Sequence, residues 1–296
     1  PDGLAILCAV TDDPAIRELL AGMLTADAAD RETGATPGSV FNFIFGPAHL
    51  PAPAARPPVF RILPQTGMLC SCRATEHGLV RLQLIGAPAK AGHAHEDKGS
   101  FVIEAFGEEI AIERGQMAYD DPRCAMIKYA RYHNLLIPEA QGDPLPAQVN
   151  PCPTAVTPEG QGDERTLEAR IDGSGAWGGL VERWMRTIVS PNPLEFMVID
   201  AMTLPVAGGV SFHLHSRFPW VKSPAGWITR GHRAELKVIP EWKPVGESGD
   251  SDFIDGHKDP VFHLVLKAAP ERSHLLRTSL GLTRVYSCLA SPVSSR

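Results

Sequence analysis

From Val59 onward the chain returns again and again to one pattern, a short run of alternating apolar and polar residues closed by Gly, Pro or Asp. Leu79-Val80-Arg81-Leu82-Gln83-Leu84, Thr166-Leu167-Glu168-Ala169-Arg170-Ile171 and Val210-Ser211-Phe212-His213-Leu214-His215 carry it, Ala234 to Ile239 and Val261 to Leu266 add two more runs, and Leu194 to Asp200 reads as a buried one. Successive side chains of a strand point to opposite faces, so each run buries one side and wets the other. Many short strands satisfy that demand together by stacking sheets, which predicts a mainly β protein built as an antiparallel β-sandwich. A hydrophobic content of 44% over 296 residues is enough for a sizeable core. No apolar run is long enough to span a bilayer, and a formal net charge of −6 argues against a general nucleic-acid binder. Pro144 to Pro158 and Gly246 to Gly256 read as loops.

The start of the chain is patterned differently. Thr11-Asp12-Asp13-Pro14 supplies N-cap residues and a first-turn proline, and Ile16, Leu19, Leu20, Met23 and Leu24 then fall on one helical face. Residues 1–50 are therefore expected to be a short helical segment, 51–58 a proline-rich linker, and 59–296 the sandwich. The chain opens on Pro1 with no charged-then-apolar leader, so a processed or truncated piece is expected. Its six cysteines are irregularly spaced and read as buried thiols.

One stretch departs from generic β sequence: Gly92-His93-Ala94-His95-Glu96-Asp97-Lys98-Gly99-Ser100-Phe101, with Glu113 and His133-Asn134 downstream. If residues 91–97 are extended, His93, His95 and Asp97 share a face. Phe101 to Phe106 and Glu109 to Glu113 read as a hairpin turning at Gly107-Glu108, which can carry Glu113 back beside His95. Imidazoles and a carboxylate suit Zn²⁺ or Mn²⁺ and leave room for water. Asp97 reads as a turn residue rather than a ligand, since Asp readily bonds nearby backbone. His213 and His215 share a strand face and read as solvated; Trp177, Trp184 and Trp220 read as packing residues, and Tyr119, Tyr129 and Tyr132 are the tyrosines nearest the motif. Lys90, Lys98, Arg114, Arg123, Lys128 and Arg131 surround the motif among at least as many acids, so no basic patch follows from sequence.

With Leu63-Pro64-Gln65-Thr66-Gly67 before a strand, Glu113-Arg114-Gly115 ending the hairpin, and Arg186 to Val189, Val198-Ile199-Asp200 and Phe212 to His215 further on, the chain from about Val59 to about Leu280 resembles the C-terminal β-sandwich of the heparinase II/III-like polysaccharide lyases. Dermatan sulfate epimerase has a similar arrangement. The resemblance implies an N-terminal (α/α) toroid, of which residues 1–50 look like the end, and an active site between toroid and sandwich. It implies β-elimination on an acidic, uronate-containing polysaccharide, in a secreted or periplasmic protein. His93 would be the catalytic residue of the sandwich, while His95, Glu113 and His133 match the metal positions, where Zn²⁺, or else Mn²⁺ or Ca²⁺, would hold the loops. Asn134 and Asp97 would support them from behind. Glu113 stands where many relatives have Asp, and the toroid's own Tyr and His or Asn match nothing in this chain, so this fragment alone is expected to be inactive. Two other readings stay open: a cupin-like metalloprotein, in which both His93 and His95 ligate, and a non-catalytic carbohydrate-binding module.

Overall fold

Alternation becomes two antiparallel sheets in the computed structural model, which describes residues 58–92, 94–115, 117–139, 147–252 and 259–286. The chain divides into two units between Pro57 and Pro58, and the described residues all lie in the second. The helix expected within residues 1–50 and nearly all of the linker lie outside them.

The first sheet is a meander of five strands in chain order: β1 (Phe60–Leu63), β2 (Met68–Thr75), β3 (Gly78–Ile85), β4 (Phe101–Ala105) and β5 (Glu108–Ala111). Val80, Leu82 and Leu84 of β3 and Phe101, Ile103 and Ala105 of β4 point inward. The β4–β5 turn sits one residue earlier than the sequence suggests. Phe106 and Gly107 are its central residues, at φ +59° and +77°, the paired positive values of a type I′ turn that matches strand twist. The buried Phe106 ring, under the Arg284 guanidinium and edge-on to His77, holds a non-glycine residue there.

The second sheet contains β6 (Leu136–Pro138), β7 (Glu159–Gly162), β8 (Leu167–Asp172), β9 (Arg183–Asn192), β10 (Glu195–Ser216), β11 (Trp220–Ser223), β12 (Gly226–Arg230), β13 (Ala234–Pro240), β14 (Gly246–Asp252) and β15 (Val261–Arg284). Its order is β11-β12-β13-β15-β10-β9-β8-β7, with β14 also paired to β15 and β6 to β10. The run from Gly246, read as a loop, is strand β14 as far as Asp252. Its Gly-Glu-Ser-Gly-Asp-Ser-Asp sequence has no apolar alternation, and what makes it a strand is backbone pairing with β15. The long partners β10 and β15 shift register between Thr203 and Val210. Before that bulge β10 runs beside β9; after it, beside β6. Bulges bend a strand and increase its twist, so one pair of strands serves two sets of neighbours.

A single core cluster draws on both sheets, from Leu69, Leu82 and Ile103 to Trp184, Val198 and Leu236. Two inward positions of the larger sheet are charged. Arg186 on β9 and Asp200 on β10 are cross-strand partners, both essentially unexposed. Arg186 Nε and Nη2 donate to the two carboxylate oxygens of Asp200 at 2.8 Å each, and Trp184 Nε1 donates to Oδ1 at 3.0 Å. The remaining arm of Arg186 donates to the carbonyls of Gly99 at 2.8 Å and Asn134 at 2.6 Å. A buried charge is tolerable only when paired and fully hydrogen-bonded, and here the pairing also ties the larger sheet to two loops of the candidate site. Tryptophans 177, 184 and 220 are all buried and serve packing, as their sequence context suggested.

Candidate functional site

The motif is a loop between β3 and β4, not an extended strand, so the shared-face argument for His95 and Asp97 does not apply. Its sequence, rich in Gly and charge, offers no apolar face for a sheet to bury. Backbone bonds close its neck: Gly99 N–H donates to the Ile85 carbonyl at 2.6 Å, and Ile85 N–H to that of Ser100 at 2.8 Å. Gly99, at φ +94°, packs directly on Trp184; a Cβ there would lie 2.3 Å from the indole. Asp97 does act as a turn residue, its carbonyl accepting the Ser100 N–H at 2.8 Å. Burial raises its carboxyl above the usual range, against the pull of His133.

Two charged side chains brace the loop from inside. Lys98 is unexposed, with Nζ donating to the His95 carbonyl and lying 4.0 Å from Asp97 Oδ1. Its backbone is held by both ends of the Gln148 amide, at 3.0 and 2.9 Å. Glu96 N–H donates to the Lys128 carbonyl at 2.8 Å, and Glu96 Oε2 accepts the Ala130 N–H at 2.9 Å. The His95 loop is thereby clamped to residues 128–130, which follow the one-turn helix α1 (Arg123–Met126).

Glu113, two residues beyond β5, meets His133 and Ser100. Ser100 Oγ donates to Glu113 Oε1, and His133 Nδ1 bonds Glu113 Oε2. Asn134 stands behind them, unexposed. Its amide donates to the carbonyls of Phe101 (2.7 Å) and Ile112 (3.0 Å), its oxygen accepts the His215 N–H (2.8 Å), and its backbone N–H donates to Ser100 Oγ (2.9 Å). It thus joins the start of β4 and the end of β5 to β10. The His95 ring lies 5.4 Å from that of His133, centroid to centroid.

The electrostatics separate the two imidazoles. Burial first, then the neighbouring His133, bring His95 down to about 4, so it is neutral at ordinary pH with a lone pair free to bind. Burial pulls His133 down most strongly, but the carboxylates around it, Glu113 first and then Asp97 and Glu96, together hold the ring above its ordinary value. His133 Nε2 is buried without a hydrogen-bond partner, and a buried imidazole nitrogen left over in this way calls for a partner that the described side chains do not supply. Imidazole and carboxylate are donors that suit a divalent ion. The side chains meet in pairs, His95 with His133 and His133 with Glu113; among the described residues no three His, Cys, Asp or Glu groups surround a common point.

A cavity of about 410 Å³ opens here, lined by His95, Asp97, Lys128 and Tyr119 and by Gly92 and Ala94. His93 lies outside the described residues, between two that line this cavity. A larger groove of about 750 Å³ lies against β7, β8 and β9, away from these histidines.

The solvated reading of His213 and His215 is corrected by the structure. Both are buried, at 7% and 0% exposure, because the second half of β10 is covered on both faces. They form a cluster with His263, the cross-strand partner of His215. Ser211 Oγ and His213 Nε2 are 2.8 Å apart, as are His213 Nδ1 and His263 Nε2, while His215 and His263 stack at 4.1 Å. His263 Nδ1 is 3.7 Å from Asp252, which also accepts from Arg114 at 2.9 Å. Sequence reasoning missed this cluster and the Arg186–Asp200 pair, which join residues of different strands, and it gave Ser100 and Lys98 no role within the motif.

No family model matches this sequence, and no curated protein does. Solved structures do match. A heparan sulfate lyase mutant from Pedobacter heparinus aligns with TM-score 0.62 and 12% identity over 92% of this chain and 42% of its own. The unmutated enzyme aligns at TM-score 0.59, and a heparinase III with methylated lysines at 0.61 with 10% identity over 91% of this chain and 41% of its own. The chain therefore spans about 42% of the length of these lyases and shares the fold of that part.

Proposed function

We propose that this chain is the sandwich part of a polysaccharide lyase that cleaves uronate-containing glycans by β-elimination. The observation that carries the reading is the His133–Glu113–Ser100–Asn134 network, with neutral His95 beside it at the cavity, on a sandwich that shares its fold with heparan sulfate lyases. An acidic, extracellular polymer as substrate suits a secreted or periplasmic protein, and among the described residues no helix is long and apolar enough to cross a membrane.

In such a reaction a base takes the C5 proton of the uronate, the C4–O bond breaks, and an acid returns a proton to the leaving oxygen. A C4=C5 double bond remains. His93 is assigned to the cleft as the histidine that meets the uronate carboxylate or exchanges the proton. The remaining acid–base groups are assigned to an (α/α) toroid joined to this sandwich. His95, His133 and Glu113 would hold a divalent ion, Zn²⁺ before Mn²⁺ or Ca²⁺, which supplies fixed positive charge and cross-links the loops. Ser100 orients the Glu113 carboxylate, and Asn134 holds the backbone at Phe101 and Ile112, beside Ser100 and Glu113.

Two experiments test this. The whole protein should release products with the ultraviolet absorbance of an unsaturated uronate, and His93→Ala should lower kcat by at least about a hundredfold, the lower range for a lost general acid–base group, with little change in melting temperature. A glycan cleaved without that chromophore would point to hydrolysis and sink the lyase reading. Purified protein should also contain about one divalent ion by elemental analysis, lost in His133→Ala and Glu113→Gln. Full stability and no metal in the unmutated protein would overturn the metal assignment.

A further inference from the structure

The cations around the motif, indistinguishable in sequence, are sorted by the fold. Lys98 is buried against the His95 carbonyl and Asp97. Arg114 is paired with Asp252, and Arg123 makes two side-chain bonds to Asp121 at 2.9 and 2.6 Å. Arg131 lies over the Tyr132 ring, and Lys90 is exposed and does not line the cavity. Lys128 alone among the described cations lines the cavity with His95. Its ammonium has no carboxylate partner among the described residues and sits 5.7 Å from the centre of the Tyr119 ring. Its backbone is fixed, because its carbonyl accepts the Glu96 N–H of the His95 loop.

A half-buried lysine with no carboxylate partner among the described residues, lining the same cavity as His95 and lying over an aromatic ring, is arranged to receive an oxyanion. We infer that Lys128 is a substrate-binding residue that takes an oxyanion group, carboxylate or sulfate, of an acidic sugar in the cavity beside His95, with Tyr119 as the rim on which the ring rests. The inference rests on the glycan reading above and adds to it the residue that selects for charge. Lysine acts as a point charge rather than a planar fork, so charge matters more than geometry, and arginine should substitute.

The test is glycan binding by the whole protein, measured by calorimetry with heparan sulfate oligosaccharides, their chemically desulfated forms and an unsulfated polyuronate. A charge-assisted contact corresponds to roughly tenfold or more in affinity. Lys128→Met, which keeps the apolar stem, should weaken binding by about that factor with an unchanged melting temperature, Lys128→Arg should restore most of it, and the loss should shrink in high salt. A loss on sulfated and unsulfated glycans alike identifies the carboxylate as the group held; a loss confined to sulfated ones identifies the sulfate. Equal affinity of Lys128→Met and the unmutated protein, or no binding of any of these glycans, overturns the inference. The unsaturated-product assay is read separately: binding that depends on Lys128 without such product would keep this inference and remove the lyase reading.

Discussion

Replacing Asp200 by leucine should destabilise the sandwich by about 3–5 kcal/mol, the cost of stranding one member of a buried ion pair. Arg186 would keep its charge in the core with two of its bonds gone, and Trp184 would lose its acceptor. For a domain of this size that corresponds to a fall in melting temperature of about 10 °C or more. The double replacement Arg186→Met with Asp200→Leu should regain much of the loss, because apolar side chains of similar volume fill such sites without a desolvation penalty. It should not restore the site, since Met cannot donate to the Gly99 and Asn134 carbonyls. Urea unfolding of the three variants with glycan binding measured alongside decides the matter. A single Asp200→Leu change within about 1 kcal/mol of the unmutated protein would show that the pair contributes nothing to the core.

Acid should unfold the protein well before its carboxylates are fully protonated, and the buried histidine cluster should be a principal cause. His263 is brought down to about 3, by burial first and then by the charges of Arg131 and Arg114. Burial likewise holds His213 and His215 well below their ordinary values, with His263, Arg131 and Lys267 adding to the effect on His213. Asp252, 3.7 Å from His263, is the acid facing the cluster. An unfolded histidine binds its proton near pH 6.5, whereas folded His263 remains neutral down to about pH 3. Between these limits the unfolded chain holds protons that the folded one lacks, so stability falls as pH falls and is complete only above about pH 6.5. Each pKa unit is worth about 1.4 kcal/mol, so His263 alone contributes on the order of 5 kcal/mol across that window. His263→Gln, which cannot titrate, should flatten stability against pH between about 6 and 4. An unchanged slope in that variant would mean that other groups govern the acid transition.

How much of this was legible beforehand follows from the range of each interaction. Alternation located β3, β8 and β13 within a residue or so, because one buried face is a local property of a strand. It failed at β14, whose identity comes from pairing with β15, and at residues 91–97, whose polar composition makes a loop. The hairpin that returns Glu113 was visible, but its turn was displaced by one residue because Phe106 accepts a positive φ under tertiary packing.

The sequence by itself determined a β-sandwich and named the side chains able to gather at its candidate site: His95, Glu113, His133 and Asn134. Those depend on residue type, alternation and motif, all of which are written along the chain. Only the tertiary structure decided which charges are buried in pairs, that His213 and His215 are buried and join His263, and that Lys128 faces the cavity. Such outcomes depend on what packs against a residue from tens of positions away, and burial sets the energy of a charge or an imidazole far more than its neighbours in sequence do.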